Sequence, residues 1–162
     1  MILIECQTGD HVAIQADSLE GANLSSLNLH RALLDGQSLR GAKLVDANLR
    51  SAWLERADLS DCDLSQAILF AAVCMGTSFI RACLRDAVLA TGKFDRADFS
   101  GANLYGAKLG QASFKEANLT GADMRGLNLD KADLAGACAD ASTQWPEGFS
   151  PQAYGVIIKI PR

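Results

Sequence analysis

Histidine is nearly absent from this chain of 162 residues, with only His11 and His30 present. There is no Gly-rich phosphate loop and no nucleophile beside either histidine, so the residue patterns that enzyme chemistry needs are missing. The five cysteines, Cys6, Cys62, Cys74, Cys83 and Cys138, include no C-x-x-C pair and are odd in number, which argues against a metal site. Reduced thiols suit a cytoplasmic protein. Basic charge is not in surplus: 15 Lys and Arg face 19 Asp and Glu, so nucleic acid is not the expected partner. No apolar run reaches 18 residues, and Met1-Ile2-Leu3-Ile4 is followed at once by Glu5. The expectation is a soluble chain with neither a membrane span nor a secretory signal.

What is abundant is alanine and leucine, together with 14 glycines, in a chain that is 49% apolar. That is enough for one core and one domain, and too apolar for a disordered tail. The leucines are periodic. Stepping in fives from Leu19 through Leu24, Leu29 and onward to Leu134 meets 24 apolar residues in succession, with Cys74, Phe79, Phe94, Phe99, Phe114 and Met124 in place of leucine at six of them. The residue two before each, from 22 to 132, is mostly alanine; the exceptions are Leu27, Gln37, Cys62, Thr77, Gly92 and Leu127.

A step of five fits neither ordinary element. On a helix it advances about 500°, so the leucines wander around every side. On a continuous strand an odd step sends alternate leucines to opposite faces. A short extended piece does fit: alanine and leucine, two apart, point inward, the residue between them points out, and two residues then turn a corner. Four such sides close a square coil, and successive coils pair through their backbones as in a parallel ladder. Four large and four small side chains then fill each level without a cavity. Phe79 and Phe99, like Phe94 and Phe114, are one coil apart and are expected to stack. Asn and Asp recur at the outward position (Asn23, Asn28, Asn48, Asp58, Asp63, Asp98, Asn103, Asn118, Asp123, Asn128, Asp133), where they can hydrogen-bond nearby backbone at the corner. Glycine at the second corner position (Gly21, Gly36, Gly41, Gly76, Gly101, Gly106, Gly121, Gly126, Gly136) supplies positive φ where the turn needs it.

The units Ala22-Asn23-Leu24, Ala47-Asn48-Leu49, Ala57-Asp58-Leu59, Ala97-Asp98-Phe99, Ala102-Asn103-Leu104, Ala117-Asn118-Leu119 and Ala132-Asp133-Leu134 resemble the A-[DN]-L-x-x pattern of the pentapeptide repeat family. The resemblance implies an all-β fold, a right-handed quadrilateral parallel β-helix of about six coils, roughly 29 Å tall at the ladder spacing. Such a solenoid needs capped ends. Residues 1–11 read as an N-terminal cap strand and turn, 12–141 as the solenoid, and 142–162 as a C-terminal cap whose Trp145, Phe149 and Tyr154 form the lid. Val156 to Ile160 is an alternative dimer contact.

No catalytic, cofactor-binding or metal-ligating residue is assigned. The resemblance brings one activity to weigh, mimicry of duplex DNA by quinolone-resistance proteins that bind DNA gyrase. Mimicry needs a field of negative charge, yet residues 19–134 hold 14 acidic and 13 basic residues, interspersed. The feature that stands out is apolar. Leu33, Trp53 and Val73 fall in one outward column with Met75 beside them, and Ile68, Phe70 and Val88 point out from the preceding side and its corner. Such a patch around a Trp marks an interface with a protein partner or a second copy. The expected function is therefore a non-enzymatic interaction module without cofactors, with a DNA-mimicking topoisomerase modulator as the alternative.

Overall fold

A computed structural model describes residues 1–161. Every fifth residue from Leu19 to Leu134 is buried, at about 1.5–3 kcal/mol for each leucine removed from water. The ladder that holds them inward runs along four sides, joining residues 20 apart. The first side carries Asn23, Lys43, Asp63, Cys83, Asn103 and Asp123, and the second Asn28, Asn48, Ile68, Val88 and Lys108. The third carries Leu33, Trp53, Val73, Lys93, Ser113 and Asp133, and the fourth Ser38, Asp58, Ser78, Asp98, Asn118 and Cys138.

A buried backbone must place all its N–H groups, and the five-residue unit does so in a repeating way. In a typical unit the leucine and the outward residue bond to the coils above and below, as in Leu44 N–H to Asp63 O at 2.7 Å and Lys43 N–H to Ala22 O at 2.9 Å. The alanine closes the corner, as in Ala47 N–H to Leu44 O at 3.0 Å, and the second corner residue reaches the next coil, as in Asp46 N–H to Val45's stacked neighbour Ser65 O at 3.0 Å. The first corner residue is left over. The Asn or Asp two residues before it accepts that proton: Ser60 N–H to Asp58 Oδ1 at 2.9 Å, Tyr105 N–H to Asn103 Oδ1 at 3.0 Å, Ala135 N–H to Asp133 Oδ1 at 3.1 Å. Of the outward Asn and Asp residues singled out by the sequence, only Asn128 makes no such bond.

The second corner residue has positive φ at every unit from Gly21 to Gly121, including Arg31, Ala71 and Glu116 at φ 56–59. The expectation that glycine marks these positions was too narrow. Each non-glycine residue there costs roughly 1–2 kcal/mol of backbone preference, and the ladder on either side of the corner holds it in place. Phe79 and Phe99 stack with centroids 4.7 Å apart at 8°, and Phe94 and Phe114 at 5.3 Å and 15°, with edge contacts between the two columns.

The N-terminal end is closed by a hairpin. β1 (Ile2–Glu5) pairs antiparallel with β2 (His11–Ile14), with Ile4 opposite Val12, and then joins the third side through Leu33 N–H to Glu5 O at 2.7 Å. Gln37, at an inward position of the first coil, stays exposed under this hairpin. At the other end β3 (Cys138–Ala139) pairs parallel with β4 (Ile157–Ile158).

The register is not unbroken. Lys108 pairs with Leu127, 19 residues on, and Leu127 is 53% exposed where the period placed it inward. Gly126 takes the inward place instead: a Cβ on it would lie 2.6 Å from both Ala107 O and Leu109 Cδ1, and its φ is not positive. A leucine cannot enter a slot that tight. Asn128 (φ 60) and a 3-10 helix over Leu129–Lys131 absorb the missing residue, and Ser113 pairs with Asp133 in the original register.

Candidate interaction surface

The ladder stacks Leu33, Trp53 and Val73 directly above one another, and Ile68 on Val88 along the adjacent side. Trp53, Ile68, Val73 and Val88 are held by backbone pairing to both neighbouring coils, and Leu33 by Trp53 on one side and Glu5 of β1 on the other. Their exposure differs. Leu33 and Trp53 are each 38% exposed and Met75 40%, whereas Ile68, Phe70, Val73 and Val88 are half-buried. Phe70, at the corner between the two sides, is covered by the Arg50 guanidinium 4.7 Å from its ring centroid. The exposed part of the patch is thus a narrow strip through Leu33, Trp53 and Met75, with half-buried side chains beside it.

The strip has defined ends. Lys93 follows Val73 and Lys108 follows Val88 in their columns, so both sides turn cationic one coil further on. Beside Met75 the corner is charged in both signs, and Met75, Asp95, Arg96, Lys115 and Glu116 line a hollow of about 260 Å³. Toward the N-terminus the strip runs on. Leu3 of β1, exposed, lines a shallow cleft of about 250 Å³ together with Leu33 and Gln37. Leu3 was not among the expected contact residues; the alternation Ile2-Leu3-Ile4, with Ile4 buried, already placed it outward.

A second exposed ring also escaped the sequence reading. Tyr105 lies between Arg85 and Arg125, whose guanidinium carbons are 5.0 and 5.1 Å from its centroid. These residues share one corner at 20-residue spacing, so the column was readable once the sides had been sorted.

Four of the 14 acidic residues between 19 and 134 are paired with a cation. Asp61 lies between Arg40 and Arg81 at 3.0 and 2.8 Å, Glu116 meets Arg96 at 3.0 Å, Asp133 meets Lys115 at 3.2 Å, and Asp123 meets Arg125 at 2.7 Å. The hydrogen bond from Arg81 holds the Asp61 carboxyl below its ordinary pKa, and the Arg125 guanidinium does the same for Asp123. Each of these four pairs sets a guanidinium or ammonium group beside the carboxylate.

The cysteines divide as their register implies. Cys62 and Cys74 are buried in the core and Cys83 is half-exposed. Among the described residues no group of His, Cys, Asp and Glu side chains is arranged to hold a metal, and no helix is long and apolar enough to cross a membrane.

At the C-terminal end Trp145 and Phe149 pack on the core and stack at 5.5 Å, and Tyr154 stacks on Phe149 at 4.6 Å. Tyr154 itself is exposed, and the buried apolar residue of this cap is Val156. Val156 therefore cannot take part in the alternative dimer contact without the cap opening, while Ile157 and Ile160 remain exposed.

The chain matches the sequence profile of pentapeptide repeats, in eight copies, over residues 18–56, 57–95 and 97–136. Among solved structures it is similar to the pentapeptide repeat protein Rfr23 from the cyanobacterium Cyanothece 51142. The identity there is 26% and the TM-score 0.54, covering 77% of this chain and 88% of that one. It is also similar in fold to QnrB1, a plasmid-mediated fluoroquinolone resistance protein, at 17% identity and a TM-score of 0.54, covering 87% of this chain and 85% of that one. No curated protein sequence matches it.

Proposed function

Because this chain belongs to the pentapeptide repeat family, we propose that it acts as a rigid, non-enzymatic module that binds protein through the strip of Leu33, Trp53 and Met75, with Ile68, Phe70, Val73 and Val88 as its flank. One observation carries this reading. All the outward hydrocarbon side chains in the regular ladder, Leu33, Trp53, Ile68, Val73 and Val88, fall on two adjacent sides and none on the other two. At many of the other outward positions the unit places an Asn or Asp that satisfies the corner N–H. A hydrocarbon there gives up that bond and meets water instead, which the fold gains nothing by. Trp is the side chain most enriched where binding energy concentrates, and a rigid ladder spends no entropy in presenting it.

The competing reading, a DNA-mimicking modulator of a type II topoisomerase, has the near-balanced, interspersed charges against it. The likeness to QnrB1 is one of fold.

The test is Trp53→Lys. It is expected to leave the far-ultraviolet circular dichroism unchanged and to lose either self-association in light scattering or a partner photo-crosslinked from position 75. If neither changes, the strip is not an interface. A gyrase supercoiling assay that the protein inhibits equally with and without Trp53→Lys would favour the mimic.

A further inference from the structure

The register break at Leu127 leaves a space that the regular repeat does not have. Gly126 turns inward, Asn128 turns left-handed, and the cap loop from Pro146 to Tyr154 folds across the gap. Between them lies a cavity of about 490 Å³, lined among others by Asn128, Asp130, Glu147, Phe149, Ser150 and Tyr154. That is within the range of small-molecule sites.

Its chemistry is one-sided. Part of the wall is aromatic, the near-parallel Phe149 and Tyr154 rings at 4.6 Å and 18°, backed by Trp145. Two carboxylates, Asp130 and Glu147, share the lining, and no Lys, Arg or His is among the described lining residues. A cleft lined by one sign of charge concentrates the opposite sign, and ring faces attract cations. The molecule shows elsewhere which cation it sets on its rings: Arg50 covers Phe70, and Arg85 and Arg125 cover Tyr105. No such cation covers this stack among the described residues, and because Phe149 lies between Trp145 and Tyr154, the outer face of Tyr154 is the ring face left for one.

We infer that this cavity binds a guanidinium group, carried by a free small molecule or by an arginine of a partner protein. The flat fork can lie against a ring while its edge donates paired hydrogen bonds to a carboxylate, which a spherical, strongly hydrated ammonium does less well. The volume also takes the alkyl chain that carries the group. The site lies at the corner between the second and third sides near the C-terminal end, coils away from Trp53, and does not depend on the function proposed above.

The probe is L-argininamide, titrated into a Trp53→Phe protein so that Trp145, stacked behind Phe149, is the reporting indole. A saturable change in its emission is expected, with none from citrullinamide, which keeps the shape and the α-amino group but carries a neutral ureido group in place of the guanidinium. Asp130→Asn with Glu147→Gln, nearly isosteric and exposed, should melt at the parent temperature and bind about tenfold more weakly. A blocked Gly-Arg-Gly peptide that binds more tightly than L-argininamide assigns the group to a partner chain; weaker binding assigns it to a small molecule. The inference falls if L-argininamide and the peptide both give no saturable change, if citrullinamide binds equally, or if the paired carboxylate variant binds as the parent does.

Discussion

The Phe94 ring occupies the space that a methyl group on Gly92 would need. A Cβ built there would lie 2.5 Å from Phe94 Cε2 and 2.9 Å from Cζ. Gly92 has no positive φ, so it is glycine for steric reasons alone. The level that carries Phe94 has traded its small alanine for a larger aromatic.

Gly92→Ala restores the commonest residue at its position and is nonetheless expected to destabilise by about 1–3 kcal/mol through overpacking. Adding Phe94→Leu should recover most of that loss. Urea denaturation of the two single variants and the double variant measures the coupling; additive effects would show that the two residues do not compete for one space.

Thr77 sits at an inward alanine position and is wholly buried, its Oγ1 donating to Leu54 O at 2.6 Å. Thr77→Val keeps the shape and removes the bond, and is expected to cost about 1 kcal/mol. The cost stays modest because Leu54 O also accepts from Ala57 N–H at 3.0 Å. A valine variant that denatures at the parent midpoint or above would show the hydroxyl to be dispensable.

Asp61 makes acid sensitivity local. Its carboxyl titrates below the ordinary value in the folded chain, chiefly through the Arg81 hydrogen bond. A depressed carboxylate contributes stability above its unfolded pKa and loses it as pH falls through the folded one. Asp61→Asn is therefore expected to lose less stability than the parent between pH 5 and pH 2.5. Carboxyl chemical shifts followed by NMR should place the Asp61 midpoint below that of an unpaired aspartate.

Burial pushes the Cys62 thiol up to about 12, and raises that of Cys74 as well. Iodoacetamide at pH 8 is expected to label Cys83 and Cys138 in the native protein and to reach Cys62 and Cys74 only after denaturation. The sign of the linkage is opposite to that of Asp61. Above about pH 9 the unfolded thiols ionise first, so this contribution to stability declines as pH rises toward 12. Mass spectrometry of the labelled peptides separates the sites.

Most of the architecture can be read one residue at a time. Leu24, Leu64 and Leu104 are inward because a regular five-residue apolar step has only one geometry that buries them all, and Asp58 and Asn103 accept the corner N–H because their side chains are the right length to reach it. The columns that place Trp53 beside Leu33 and Val73 follow from counting alone.

Three features waited for the tertiary structure. Arg31 and Ala71 adopt positive φ against their own preference, because ladder bonds to neighbouring coils outweigh a local cost. Leu127 leaves the core because the space beneath it is set by Ala107 and Leu109, about a coil away in sequence. Tyr154 faces out and Val156 in because the cap folds back on an end that no repeat unit describes. Amino-acid order determined the period, the inward residues and the sides, since each depends on the size and polarity of one side chain within its own unit. Where the period slips, and what cavity that opens, depends on contacts between coils, which exist only once the chain is wound.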